Sequence, residues 1–347
     1  MAEFVRLEPA LVHKIWGGKR LGESNAAGEG VGEAWILSAR EDNPSIVASG
    51  PHAGESFLDY VNDLGPVGLG KNAGVMDAFP TLIKFIDAAT PLSIQVHPDD
   101  AYARANGMPY GKTEMWIILA AEPGAFLYLG VKEEMTPEEF ATAIADGSIE
   151  DKLNRVPVKQ GDVYFIQAGT LHAIGGGILL AEVQQNSDTT YRVWDFGRVG
   201  ADGKPRELHI PQACDVANLE PLAGLGELEE ARAVLGGTCQ MIGQGTCFRT
   251  ERWVLTGEAE LPVTSDSFMA VIMLEGMADL ALNNQAPADD QAPSGAQTAA
   301  GEHPALRQAA SAKAGETYFV PAQDAELRVT PSADGCTLLC VTVPAAV

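Results

Sequence analysis

Four side chains able to ligate a metal, Gln95, His97, Glu114 and His172, fall in three short segments with apolar neighbours: Ser93-Ile94-Gln95-Val96-His97, Gly111-Lys112-Thr113-Glu114 and Gly169-Thr170-Leu171-His172. Their spacing is not helical. Successive side chains of a strand alternate faces, so Gln95 and His97 point one way with Ile94 and Val96 behind them, and Lys112 shares a face with Glu114. Two imidazoles, one carboxylate and one neutral amide oxygen leave a divalent ion a residual charge of about +1, enough to polarise a substrate oxygen. A single His or Glu in a strand is ordinarily a surface or hydrogen-bonded residue. Three separate segments, each offering a ligand type on an apolar background, point instead to an open Lewis-acid site.

The elements that must carry these residues read as short strands broken by Gly and Pro. Strands are expected at Glu33–Ser38, Ser45–Ala48, Leu82–Ile86, Leu92–His97, Glu114–Leu119, Ala125–Leu129, Val163–Gln167 and Gly177–Gln184, with a helix-like stretch over Ser56–Val61. Thr136-Pro137-Glu138-Glu139 starts a second helix, with an N-cap hydroxyl, Pro in the first turn and early acids. Gly147 stops it. Many short strands with small helical inserts make an all-β barrel or sandwich.

An internal repeat sharpens this. Lys159-Gln160-Gly161-Asp162-Val163-Tyr164-Phe165 is echoed by Lys313-Ala314-Gly315-Glu316-Thr317-Tyr318-Phe319, 154 positions on, and the same offset lays Met115–Leu119 on Met269–Met273. The chain therefore reads as two related β-barrels in tandem: a metal-binding domain over 1–225 with a helical insertion near 133–155, and a second domain over 226–347. At that offset Gln95, His97, Glu114 and His172 fall on Arg249, Glu251, Phe268 and Glu326, so only the first copy can hold the metal. A weak boundary lies near Pro221–Leu228, and Ala286–Ser311, rich in Ala, Gln, Pro and Gly, reads as a flexible loop.

Composition limits the partners. The chain has 347 residues, 46% hydrophobic and 20% charged, enough for two cores. Its 23 basic against 47 acidic residues give a formal charge of −24, which argues against nucleic acid or an anionic membrane. An anionic substrate would need a local basic pocket, for which Lys112, Arg192 and Arg198 are the candidates. No apolar run is long enough to span a membrane, the N-terminus lacks a signal-type segment, and the five cysteines include no Cys-x-x-Cys pair. These features predict a cytoplasmic protein with reduced thiols.

Two glycine-rich stretches imitate phosphate sites. Gly65-Pro66-Val67-Gly68-Leu69-Gly70-Lys71-Asn72 places Asn where a phosphate loop needs a hydroxyl, and it reads as a surface loop. Gly175-Gly176-Gly177, between two β-runs, reads as a tight turn.

Several motifs resemble those of one family. Ile15-Trp16-Gly17-Gly18, Gly32-Glu33-Ala34-Trp35, Leu92–Asp100, Gly111–Trp116, Gly169–Ile174 and Gln184–Asp195 resemble the type I mannose-6-phosphate isomerases, which are zinc cupins, in their short bacterial form. The resemblance covers about the first 215 residues in full. It implies one Zn²⁺ per chain on Gln95, His97, Glu114 and His172, and interconversion of mannose 6-phosphate and fructose 6-phosphate through a cis-enediol. It also marks Arg192 as the arginine that stabilises the enediolate; Lys112 is assigned to substrate oxygens or proton transfer, and Asp188, at strand parity with Arg192, to the same cavity. Gln167 departs from the Pro usual before Ala-Gly, which alters only a turn. A mononuclear iron dioxygenase on the same barrel would favour three imidazoles or a facial triad, which Gln95 fits poorly. A non-catalytic sugar-binding cupin would leave Lys112 and Arg192 without a purpose.

Overall fold

The computed structural model describes residues 3–199, 203–224, 228–284 and 308–345. The proposed boundary at 225 and most of the Ala286–Ser311 segment lie outside the described residues, although Gln308–Lys313 is a strand. In the first half a six-stranded antiparallel sheet runs in the order Val163–Ile166, Glu114–Ala121, Ile178–Gln185, Thr81–Ala88, Gly30–Leu37, Ala10–Lys14. It faces a five-stranded sheet ordered Tyr191–Trp194, Ile94–Val96, His172–Ile174, Phe126–Val131, Leu153–Pro157. Between them lies an apolar layer that includes Trp116, Ile118, Leu127, Leu129, Ile174 and Leu180. The fold is all-β, a pair of jelly-roll barrels of the cupin type.

The second half repeats the sheet order: Thr317–Val320, the first part of Met269–Asn284, the last part of Ala325–Thr342, Arg249–Leu255, Gly237–Gln244, Arg232–Val234. Its two long strands bend where the register shifts around Met273–Ala278, so each serves both faces of the barrel. One strand ignores the division of the chain: Val5–Glu8 pairs with Thr317–Val320 and extends the second half's sheet. The two halves also share a core, in which Phe79 stacks on Phe268 with ring centroids 5.1 Å apart and Phe57 meets Phe319 at 5.0 Å.

The constant repeat offset does not survive. Val163 pairs with Ile117 in the first copy and its counterpart Thr317 with Ile272 in the second, so one strand shifts by 154 (163 to 317) and the other by 155 (117 to 272). Glu114 therefore corresponds to Met269, inside the second barrel, and not to Phe268, which packs in the core between the halves. By the same ladders Lys84 and Glu182 correspond to Glu251 and Cys340. The strand bearing Gln95 matches Ala259–Val263, not the segment around Arg249, because both pair with the strand that carries or replaces His172. Upstream of these ladders the copies diverge further: the first inserts the helix Asp100–Ala105 between Val96 and Glu114, whereas the second crosses directly over 264–268.

Local sequence rules account for the helices. Pro137–Asp146 has a complete capping box between Thr136 and Glu139 and ends on Gly147 in the left-handed region, as expected. Ile149–Lys152 completes the insertion. The helix-like stretch is longer than expected: Phe57–Leu69 continues past Gly65, which breaks helical geometry at φ 60°, so the Gly65–Asn72 segment is largely helix and not a surface loop. It ends in a joint between the halves, where the Asn72 side chain donates to the Val343 carbonyl and Lys71 pairs with Asp266 at 2.7 Å. Gly175–Gly177 is a turn; a Cβ on Gly175 would lie 2.1 Å from the Phe126 carbonyl oxygen.

Candidate metal centre and substrate cavity

The three strand ends converge as the alternation predicts. His97, Glu114 and His172 are buried, and one ligand atom from each lies within 4.8 Å of the others. His172 is paired in register with Gln95, and Arg192 with Gln95 on the other side, so three of the expected site residues meet on adjacent strands. The strand carrying Gln95 spans only Ile94–Val96, and that carrying Arg192 begins at Tyr191. His97 and Asp188 therefore sit just outside ladders expected to contain them. Their side chains still reach the site.

Hydrogen bonds fix both imidazoles for metal binding. His97 Nδ1 faces the Thr189 carbonyl at 2.8 Å and His172 Nδ1 the Thr170 carbonyl at 2.9 Å. A carbonyl can only accept, so each Nδ1 carries the proton and each Nε2 keeps a lone pair. Those Nε2 atoms lie 3.4 and 3.6 Å from the two oxygens of Glu114. Neither Glu114 oxygen has an aligned hydrogen-bond donor, although Lys112 Nζ stands 2.6 Å from Oε1. A buried carboxylate left without aligned donors, faced by two fixed imidazole lone pairs, suits a divalent cation. The Gln95 side chain borders this group, its amide nitrogen 3.4 Å from His172 Nε2. Burial, aided by Lys112, pushes the His97 imidazole well below its ordinary range and brings His172 down to about 4, so both are neutral at physiological pH.

A cavity of about 280 Å³ adjoins this cluster through Gln95 and Lys112 in its wall, and is lined also by Trp16, Lys84, Glu182, Asp188 and Arg192. Lys112 is buried, which lowers its basicity, but Glu114 more than compensates and holds it charged. Asp188, which burial alone would raise, is held below the usual carboxylate range by Lys84 and Lys112. It makes no ion pair with Arg192; its partner is Lys84, at 3.4 Å. Arg192 donates from Nη1 to the Glu207 carbonyl at 2.8 Å and leaves a buried Nε without a partner. Arg198 is committed elsewhere, to Asp195 and the Pro91 carbonyl, while Arg206 clasps Asp195 and lines the cavity.

Sequence reasoning missed the charge network on the cavity floor. The buried Lys84 ammonium lies 3.4 Å from Glu33, 3.9 Å from Glu182 and 3.4 Å from Asp188, and 4.5 Å above the Trp35 ring. Glu33 also accepts from the Trp35 indole at 2.7 Å, and Glu182 from the Trp116 indole at 2.8 Å. Burial alone would raise the Glu33 carboxyl, but Lys84 and Lys14 override it and hold it at about 2. Burial and the neighbouring Glu114 raise Glu182 to about 7. Trp16 reaches the cavity because Gly18 lets the chain press on Asp87; a Cβ there would meet Asp87 Oδ2 at 2.0 Å. A signal was available: a Lys inside Leu82-Ile83-Lys84-Phe85-Ile86 and a Glu inside Leu180-Ala181-Glu182-Val183 are costly unless paired.

Comparison with known proteins agrees with this geometry. Residues 4–135 match the family model of the phosphomannose isomerase type I catalytic domain. A mannose-6-phosphate isomerase of Streptococcus mutans is 35% identical over 280 residues, spanning 80% of this chain and 86% of that protein. The mannose-6-phosphate isomerase ManA of Bacillus subtilis is 35% identical over 273 residues, spanning 78% and 84%. A crystal structure of the mannose 6-phosphate isomerase from Bacillus subtilis superposes with a TM-score of 0.81 at 31% identity, over 98% of this chain and 99% of that one. At 19% identity, a variant of phosphomannose isomerase from Salmonella typhimurium shares the fold with a TM-score of 0.71, over 98% and 99%.

Proposed function

The chain belongs to the type I phosphomannose isomerase family, and on that premise we propose that it interconverts mannose 6-phosphate and fructose 6-phosphate at the cavity beside His97, Glu114 and His172. One observation carries the assignment to this site: two imidazoles with fixed lone pairs face a buried carboxylate without aligned donors, beside a cavity lined by Lys112, Asp188 and Arg192. Gln95, His97, Glu114 and His172 would hold one Zn²⁺. When bound, zinc supplies Lewis-acid polarisation of a substrate oxygen.

The reaction moves a proton between C1 and C2 of the sugar. Lys112, charged because of Glu114, donates hydrogen bonds to substrate oxygens on the metal side of the cavity. Asp188, ionised beside Lys84 and 41% exposed at its side chain, is the carboxylate that can take up the migrating proton. Arg192 turns its unpartnered Nε and the remainder of its guanidinium toward the negative charge that develops on the enediolate. Arg206 adds positive charge for the phosphate. Catalysis belongs to the first of the two barrels, a cytoplasmic setting is consistent with the thiols, and in the second barrel Met269 stands at the position of Glu114. The test is turnover of mannose 6-phosphate in deuterium oxide. Fructose 6-phosphate carrying deuterium at C1 supports the proton-transfer reading; no fructose 6-phosphate overturns the assignment.

A further inference from the structure

Behind the metal cluster, on the side away from the cavity, Gln185 holds the segment that delivers Lys112 and Glu114. Its backbone N–H donates to the Thr113 carbonyl at 3.1 Å, and its side-chain oxygen accepts from the Thr113 N–H at 2.9 Å. Both polar groups of the residue between Lys112 and Glu114 are thus held by one side chain and its own backbone. The Gln185 amide nitrogen donates to Asp100 Oδ1 at 2.9 Å, and the same oxygen accepts from Gly111 N–H at 2.8 Å. That nitrogen also faces Thr246 Oγ1 at 3.3 Å and Cys247 Sγ at 3.6 Å, both from the second half of the chain. The Cys247 carbonyl accepts from the Thr81 hydroxyl at 2.7 Å, and Thr81 is the ladder partner of Gln185. Gln185 itself is buried, while Asp100 and Thr113 are half-buried.

From this arrangement we propose that Gln185 is a positioning residue for the metal centre. It locks Gly111–Thr113 against the helix Asp100–Ala105 and against the Thr246–Cys247 turn, and through that lock the second half of the chain sets where Lys112 and Glu114 stand. The consequence for chemistry is direct. Lys112 Nζ is 2.6 Å from Glu114 Oε1 and 3.4 Å from His97 Nε2, so a small shift of Thr113 changes both the ligand set and the ammonium beside it.

The turnover arm of the test rests on the isomerase reading; the metal arm does not. In Gln185→Glu the oxygen that holds Thr113 N–H is kept, but the donor to Asp100 becomes a second carboxylate facing it. Zinc affinity, read by chelator competition with the metal alone, is expected to fall about 10–100-fold, the usual range for an outer partner of a ligand. The turnover number should fall with it, while KM stays within about twofold. Adding Asp100→Asn removes the second carboxylate and supplies a donor to the one introduced at position 185, at the expense of the acceptor that Gly111 N–H uses, so the double variant should recover part of both. Thr246→Val with Cys247→Ala, at the second-half end, should shift zinc affinity in the same direction by a smaller factor. The proposal is overturned if Gln185→Glu binds zinc and turns over as the parent does, if the double variant folds without recovering, or if the Thr246/Cys247 pair leaves zinc affinity unchanged. A parent protein that binds zinc but does not convert mannose 6-phosphate would sink the isomerase reading and leave the zinc-affinity test standing.

Discussion

Replacing Lys84 by Met removes the ammonium that lies within 4 Å of all three of Glu33, Glu182 and Asp188, in a place where its side chain is 3% exposed, and leaves Lys14, 3.3 Å from Glu33, to hold that carboxyl down. Methionine matches the stem in length and leaves the acids facing one another. The loss can be gauged from Glu33 alone. Its carboxyl is held at about 2, against an ordinary 4.5. At about 1.4 kcal/mol per unit, that preference for the ionised form contributes roughly 3 kcal/mol. Because the folded value is depressed, the contribution is fully present above pH 4.5 and is lost as the pH falls through about 2. Without Lys84 the burial that opposes ionisation dominates, the acids take up protons in the folded state, and the sign reverses: the variant loses stability as the pH rises. The expected deficit is therefore about 3–5 kcal/mol at pH 7, the range for a broken buried pair. It should be smaller at pH 5. Denaturant unfolding of the metal-free protein at both pH values measures this. Equal stability of parent and variant at pH 7, or a deficit that does not change with pH, would refute the reasoning.

Arg192→Ala should bind zinc normally and lose about 10²–10³ in turnover number with little change in KM, and Arg192→Lys should recover little, because an ammonium cannot reproduce the planar two-point contact. Steady-state kinetics showing an unchanged turnover number with weakened substrate affinity would make Arg192 a phosphate anchor and pass the catalytic role to Lys112. The metal-free protein should lose stability as the pH drops from 6.5 toward 4, since the unfolded chain binds a proton at His172 that the folded state refuses until about 4. His172→Gln should flatten that dependence in unfolding measurements; an unchanged slope would assign it elsewhere. Met269→Leu, at the ladder counterpart of Glu114, should leave bound zinc at the parent level by elemental analysis, and a loss of metal would contradict the repeat register derived from the ladders.

What the sequence disclosed, and what it hid, follows from how local each signal is. The convergence of His97, Glu114 and His172 was legible because each lies in a short apolar segment where alternation fixes the facing. The Pro137–Asp146 helix was legible to its last residue because its cap and its stop are written in adjacent letters. The helix Asp100–Ala105 carried the same kind of signal, Asp99 accepting from Tyr102 N–H, and passed unnoticed inside a longer motif. Lys84, Glu33 and Glu182 were harder, because their meaning depends on cross-strand partners: Lys84 lies opposite Glu182 in one ladder and Trp35 in another. The repeat showed the duplicated barrel but not its register, since the offset is 155 for one strand (117 to 272) and 154 for its ladder partner (163 to 317), and a one-residue slip exchanges inside for outside. Phe268 illustrates the result. It was matched to a ligand position but packs against Phe79 and Phe319 in the shared core.

The proposed isomerisation depends on one zinc held by His97, Glu114, His172 and Gln95. Titrating the metal-free protein with Zn²⁺ while following fructose 6-phosphate formation from mannose 6-phosphate tests this in a single measurement. The expected result is no turnover without metal, a linear rise, and a plateau at one zinc per chain. Turnover by the metal-free protein, or a plateau reached only at two or more zinc ions per chain, would contradict it.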